Sequence, residues 1–172
     1  VLRNIVPPVV VSWDMFSMMD PGKPQGKDIA LTERPSNLYR KMSKYPIHKT
    51  EEEWLAELGK DRYRILRQKG TERPFSGKYN LTAEDGTYKC GACATPLFES
   101  NSKFDSGCGW PSFDESIEGS IEYVKDTSHG MIRTEILCAT CGSHLGHVFN
   151  DGPTQTGQRY CVNSLSVDFQ KE

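Results

Sequence analysis

The chain has 172 residues, enough for one domain with a real core and short for two. Its formal net charge of −2 offers no electrostatic footprint for nucleic acid or an anionic membrane surface. No apolar run approaches the roughly 18–20 residues a membrane span needs, and the longest, Val9 to Trp13, falls far short.

Residues 1–44 hold Pro7, Pro8, Pro21, Pro24 and Pro35, no cysteine and little periodicity. They read as an N-terminal extension of unknown role, poorly ordered or packed through a few apolar residues. Met42 is a candidate start for a shorter form. A transit peptide is disfavoured, because the segment is not Arg-rich and carries Asp14, Asp20 and Asp28. No charged, apolar and cleavage regions of a secretory signal stand at the N-terminus. A reducing compartment, the cytoplasm in the simplest case, is the expectation.

Thr50 with Glu53 forms a capping box, and Glu51, Glu52 and Glu53 suit the positive end of a helix dipole. Trp54, Leu55 and Leu58 give an apolar face, and Gly59 ends it. A second short helix fits Asp61 to Lys69, with Gly70 as its stop. From Thr71 onwards the pattern turns to strands, at Thr87–Cys90, Ile121–Lys125, Met131–Cys138 and Arg159–Phe169. In the last of these, Cys161, Asn163, Leu165, Val167 and Phe169 alternate with Tyr160, Val162, Ser164, Ser166 and Asp168. With 15 Gly, 10 Pro and short alternating segments, the chain leans towards a turn-rich, mainly β domain.

Six cysteines stand at 90, 93, 108, 138, 141 and 161. A secreted protein would pair them as three disulfides; a protein in a reducing compartment would use them for metal or chemistry. Cys90-Gly-Ala-Cys93 and Cys138-Ala-Thr-Cys141 favour metal. Zinc takes four soft ligands in a tetrahedron, and each C-x-x-C turn presents two sulfurs to one side of an ion. The 44 residues between the pairs imply that the ion ties two distant hairpins together. The competing reading is a redox dithiol, which needs a C-x-x-C opening a helix; Pro96 and the β-rich residues after it speak against one. Four thiolates leave no open position for water or substrate, so the site is expected to be structural.

Cys108 and Cys161 remain, and a buried inert thiol is the common alternative for either. Cys108 lies between Gly107 and Gly109, which suits a thiol that must move. Arg159 and Asn163 are each one pleat from Cys161, about 6–7 Å away, and a nearby guanidinium favours a thiolate. His144 and His147 follow the second cysteine pair closely. Surface or core-satisfied histidines are the bland reading; acid or orienting donor beside a thiolate is the functional one. His48 and His129 receive no role.

Three stretches then resemble one family: Gly107-Cys108-Gly109-Trp110-Pro111-Ser112-Phe113, His144-Leu145-Gly146-His147-Val148-Phe149 and Arg159-Tyr160-Cys161-Val162-Asn163-Ser164. Together they look like the B-type peptide-methionine (R)-S-oxide reductases, and Cys90, Cys93, Cys138 and Cys141 match the zinc-bearing branch. The resemblance runs from about Tyr45 to Phe169, so residues 45–172 are expected to be the reductase domain. It implies two antiparallel sheets with short N-terminal helices, tied by the four-cysteine zinc site. By similarity, Cys161 is the nucleophile and Cys108 the recycling cysteine. His147 and His144 look like the residues that assist protonation of the sulfoxide oxygen, Asn163 and Arg159 like polar members of the pocket, and Trp110 like the wall for the substrate methyl. The implied substrate is methionine-R-sulfoxide in proteins, and the implied reductant is thioredoxin.

Two rival readings are weighed against this one. A zinc-ribbon binding module leaves Cys108, Cys161, both histidines and Trp110 unused. A zinc hydrolase or deaminase needs an open ligand position and a motif such as H-x-E, which the chain lacks.

Overall fold

The computed structural model describes residues 44–172. The readings made for residues 1–43, including the extension, the transit-peptide question and Met42, lie outside the described residues. Helix α1 spans Glu51–Leu66 and is interrupted at Gly59, where φ is 71°. The capping box is present in both directions: Thr50 Oγ1 accepts from the Glu53 amide at 3.2 Å, and Glu53 Oε2 accepts from the Thr50 amide at 2.9 Å. The two expected helices are thus the two halves of α1, and the second ends at Leu66 rather than Lys69. Trp54, Ile65 and Leu66 are buried and fix the helix to the sheets. Leu55, expected on the apolar face, is 41% exposed; Trp54 is buried in the core and Leu58 packs against it partly buried.

Nine strands follow: β1 Gly86–Cys90, β2 Pro96–Glu99, β3 Lys103–Phe104, β4 Ser112–Phe113, β5 Ile121–Asp126, β6 Arg133–Cys138, β7 His144–Phe149, β8 Arg159–Val162 and β9 Val167–Lys171. They form two sheets, β2-β1-β9 and β3-β4-β8-β7-β6-β5, and the pairings within both are antiparallel. The core holds Trp54, Tyr88, Leu97, Phe98, Phe113, Leu145, Val162 and Val167. Its centre is aromatic: Phe98 stacks on Phe113 at 4.4 Å, and Tyr88 meets Phe113 edge-on at 4.9 Å.

One expected element is corrected. Arg159–Phe169 is two strands in different sheets, separated by a 3-10 turn at Ser164–Ser166. The buried Glu72 causes the break. Its carboxylate accepts the Ser164 amide at 2.5 Å and the Leu165 amide at 3.2 Å, so these donors need no strand partner. The Asn163 side chain holds the corner from the other side, accepting from the Glu72 amide and donating to the Leu145 carbonyl. The alternation from Cys161 to Phe169 therefore does not describe one face. Strand β6 likewise begins at Arg133, leaving Met131 and Ile132 exposed ahead of it.

Candidate active site and metal centre

The two C-x-x-C turns are built alike. The Ala94 amide donates to the Cys90 carbonyl and the Gly142 amide to the Cys138 carbonyl, both at 2.8 Å. The residue after each second cysteine takes left-handed backbone, Ala94 at φ 59° and Gly142 at φ 71°. At Gly142 a side chain is also excluded by contact, since a Cβ would sit 2.2 Å from the Tyr45 ring. The four sulfurs lie within 4.8 Å of one another. Cys90 Sγ is 3.7 Å from Cys141 Sγ, and Cys93 Sγ is 3.6 Å from Cys138 Sγ. A tetrahedron with metal–sulfur bonds of about 2.3 Å has edges of about 3.8 Å, so the donor set fits a four-coordinate thiophilic ion. Cys90 ends a strand of the smaller sheet and Cys138 a strand of the larger, so the cluster bridges the two sheets.

The second centre follows from register. His147 on β7 is directly opposite Cys161 on β8, and Cys161 is directly opposite Ser112 on β4. Directly opposed residues share one face of a sheet. Cys161 Sγ lies 3.8 Å from Cys108 Sγ, which is carried on the loop ahead of β4. A cavity of about 140 Å³ opens at Cys161, with Trp110, Arg133, His147, Phe149 and Asn163 in its lining. Trp110 is anchored by its indole N–H, which donates to the Glu72 carbonyl at 3.2 Å.

Arg159 and His144 stand outside this cavity. Arg159 makes two 2.8 Å bonds to the Asp151 carboxylate, and its guanidinium lies 4.5 Å from the centre of the Phe149 ring. His144 is buried, with Nδ1 2.7 Å from Glu135, and its ring is 5.6 Å from that of His147. His147 Nε2 lies 2.8 Å from Asp126 Oδ2, which also accepts from Arg133 at 2.6 Å.

A model described as SelR domain matches residues 58–171. The chain is also 62% identical over 126 residues to a protein of Pseudomonas putida (strain W619) named peptide methionine sulfoxide reductase MsrB, covering 72% of this chain and 94% of that protein. This chain belongs to the SelR-domain family of MsrB peptide methionine sulfoxide reductases. MsrB proteins of Variovorax paradoxus (strain S110) and Leptospira interrogans serovar Lai (strain 56601) are each 56% identical to it. Each match covers 74% of this chain and 98% of the relative. Among solved structures, the Mis18 "Yippee-like" domain aligns at 16% identity and a TM-score of 0.41, over 52% of this chain and 98% of that chain.

In this MsrB chain the two central thiols occupy different electrostatic settings. Burial, and then the neighbouring Cys108, push the Cys161 thiol up to about 12, with Arg159 pulling only partly against them. The guanidinium beside Cys161 therefore does not make it the more acidic thiol, as spacing alone suggests. Burial also disfavours charge on Cys108, but hydrogen bonds with Ser106 and Ser112, the Trp110 backbone and Cys161 outweigh it and leave that thiol below its ordinary value. Burial likewise lowers the proton affinity of His147, with Asp126 opposing. Sequence reasoning missed Asp126, Arg133, Glu135, Phe149, Asp151 and Glu72. Phe149 lies within the His144–Phe149 stretch of the resemblance but carries no role there, and the others have no motif of their own: Asp126 is 21 residues from His147, and only the pairing of β5, β6 and β7 brings them together.

Proposed function

We propose that residues 45–172 are a methionine-R-sulfoxide reductase domain that restores oxidised methionines in proteins, in a reducing compartment such as the cytoplasm. The observation that carries this reading is the 3.8 Å approach of Cys161 and Cys108 beside a small cavity walled by Trp110 and His147. Sulfoxide reduction needs a soft nucleophile, a proton for the oxygen and an apolar slot for the methyl. Cys161 supplies the first and Trp110 the last. The raised Cys161 thiol keeps its proton until the sulfoxide oxygen can take one.

His147 is the principal proton donor to that oxygen and recovers the proton Cys161 gives up. Asp126 is held ionised by Ser128, His147 and Arg133, so it accepts from Nε2 and leaves Nδ1 to exchange the proton. His144 supports the ring behind it, and Asn163 and Arg159 hold the strand and charge around Cys161. Methionine leaves, and Cys161 retains the oxygen as a sulfenic acid. Cys108 attacks that sulfur, the disulfide forms and water departs. Thioredoxin then reduces the disulfide by exchange.

Zinc is the ion the four outer cysteines would hold, because a closed shell of four thiolates is a structural zinc site. Its contribution is to join the sheets. The deciding assay is turnover of the two methionine sulfoxide epimers with a thioredoxin system as reductant. Reduction confined to the R epimer is expected; equal rates on both epimers would contradict the reading.

A further inference from the structure

The loop that carries Cys108 also carries a hydroxyl relay. Ser106 Oγ lies 2.9 Å from Cys108 Sγ and 2.7 Å from Ser112 Oγ, and it accepts from the Cys108 amide at 3.4 Å. A serine hydroxyl has one hydrogen to give and two lone pairs to fill. The Ser112 hydroxyl has two acceptors, the Trp110 carbonyl at 3.3 Å and Ser106 Oγ at 2.7 Å, and the shorter contact takes its one hydrogen. With that hydroxyl and the Cys108 amide donating to the Ser106 oxygen, the Ser106 hydrogen goes to the Cys108 sulfur. Ser112 is fully buried on β4, directly opposite Cys161, and its Oγ is 3.6 Å from Cys108 Sγ. One end of the relay is thus fixed to the strand ladder that holds the nucleophile, and the other end grips the thiol on the loop.

We propose that Ser106 and Ser112 are positioning residues for the recycling step, holding Cys108 as an aimed thiolate that attacks the oxidised Cys161. The inference rests on the reading of Cys108 as the recycling cysteine. In the step itself, the Cys108 thiolate forms a bond to Cys161 Sγ and the S–O bond of the sulfenic acid breaks. Hydroxide leaves with the electron pair and takes a proton to become water. Both sulfurs end at the disulfide level, so the oxygen taken from the sulfoxide is the only oxidant needed.

A hydroxyl donated to sulfur stabilises the thiolate over the thiol, because the thiolate is the better acceptor. When Cys108 is instead a thiol, its S–H has the Trp110 carbonyl as an alternative partner at 3.6 Å. The titratable or charged groups around Cys108 are Cys161 and Arg159 from β8; Asp105, on its own loop, is occupied by the Gly107 amide. Neither seryl group titrates, so their effect on Cys108 persists across the working pH range.

The test is a single-turnover experiment on the full chain with methionine-R-sulfoxide and no reductant, over a range of pH. Methionine release reports the Cys161 step. Loss of trappable sulfenic acid and gain of the disulfide report the Cys108 step. In Ser106→Ala the ratio of the disulfide rate to the release rate should fall about tenfold near neutral pH. The pH at which the disulfide rate reaches its plateau should move upward. Ser106→Thr, which keeps the hydroxyl, should restore both. An unchanged ratio and pH profile in Ser106→Ala, with wild type forming the disulfide normally, overturns the inference alone. Failure of wild type to form a Cys108–Cys161 disulfide overturns the recycling role and the inference with it. Ser106 is a partly exposed loop residue, so its variants are expected to fold. A circular-dichroism spectrum matching wild type checks this.

Discussion

Cys161 and Cys108 are the same functional group in two surroundings, and their mutants should therefore separate. Cys161→Ser should abolish reduction, because a serine hydroxyl is a poor nucleophile towards sulfur. Cys108→Ser should release about one methionine per enzyme and halt at a sulfenic acid. Quenched-flow measurement of methionine with a sulfenic-acid trap checks both. Absence of a burst in Cys108→Ser would remove Cys161 as sole nucleophile. His147 is open to the same kind of test. General acid assistance is worth about 10²–10⁴ in rate, so His147→Ala should lose activity on that order while remaining folded. Asp126 acts through it. The carboxylate raises the proton affinity of a ring that burial lowers, so removing the charge in Asp126→Asn should lower that affinity further. The alkaline limb of kcat/KM, where the donating ring loses its proton, should then move to lower pH. A limb that stays put or moves upward would exclude Asp126 from that role.

At the scale of elements, the site depends on how closely β7 and β8 approach. Gly146 pairs with Val162, and a Cβ on Gly146 would stand 2.0 Å from the Cys161 carbonyl oxygen. That oxygen belongs to the strand backbone rather than to the end of a flexible side chain, so relieving the contact moves the strand. Gly146→Ala should push β8 outward, displace Cys161 from His147 and cut kcat/KM at least tenfold, with a lower melting temperature. Unchanged kinetics would show that the strands can separate without cost. This contact also marks the limit of what the sequence discloses. Thr50 and Glu53 announce their helix because a capping box is local, and Gly59 announces its break for the same reason. The paired cysteines are equally legible, since each turn is complete within a few residues. The break after Val162 is not: it depends on Glu72, 92 residues before Ser164, reaching across to take two amides. Strand β7 shows little alternation because Leu145 and Val148 are buried while His144 is buried against Glu135. Asp126, Arg133 and Asp151 become site residues only through pairing between strands and loops, which periodicity cannot express.

Across the whole molecule, two charged devices tie the helical segment and the two sheets into one unit. The first is Lys69–Glu135–His144, in which a buried carboxylate takes one partner from the loop after α1 and another from β7. Burial opposes charge on Glu135, but His144 and Lys69 together leave its carboxyl below the ordinary range. A lowered carboxyl contributes stability above the unfolded-state value of about 4.3, and loses it as pH falls through the lower folded value. Glu135→Gln should therefore be less stable than wild type near neutral pH, and the gap should narrow below about pH 4. A gap that widens in acid, measured by denaturant unfolding, would reverse the assignment.

The second device is the cysteine cluster. Unlike most sheet-to-sheet contacts in the core, it joins β1 and β6 through a single point of four sulfurs. Four sulfurs within 4.8 Å of one another repel when ionised, so they conflict unless a cation lies among them. A divalent ion removes that conflict by binding all four as thiolates. In small zinc peptides the binding energy is about 10–16 kcal/mol, comparable with the whole stability of a typical domain, about 5–15 kcal/mol. Cys90→Ser or Cys138→Ser should therefore lower metal content, melting temperature and turnover together. A strong chelator should do the same to wild type, slowly, because the cluster is mostly buried. Elemental analysis of the purified chain should give one zinc per molecule. A metal-free chain that keeps its melting temperature and activity would show that the core alone holds the two sheets, and that the four cysteines do no structural task.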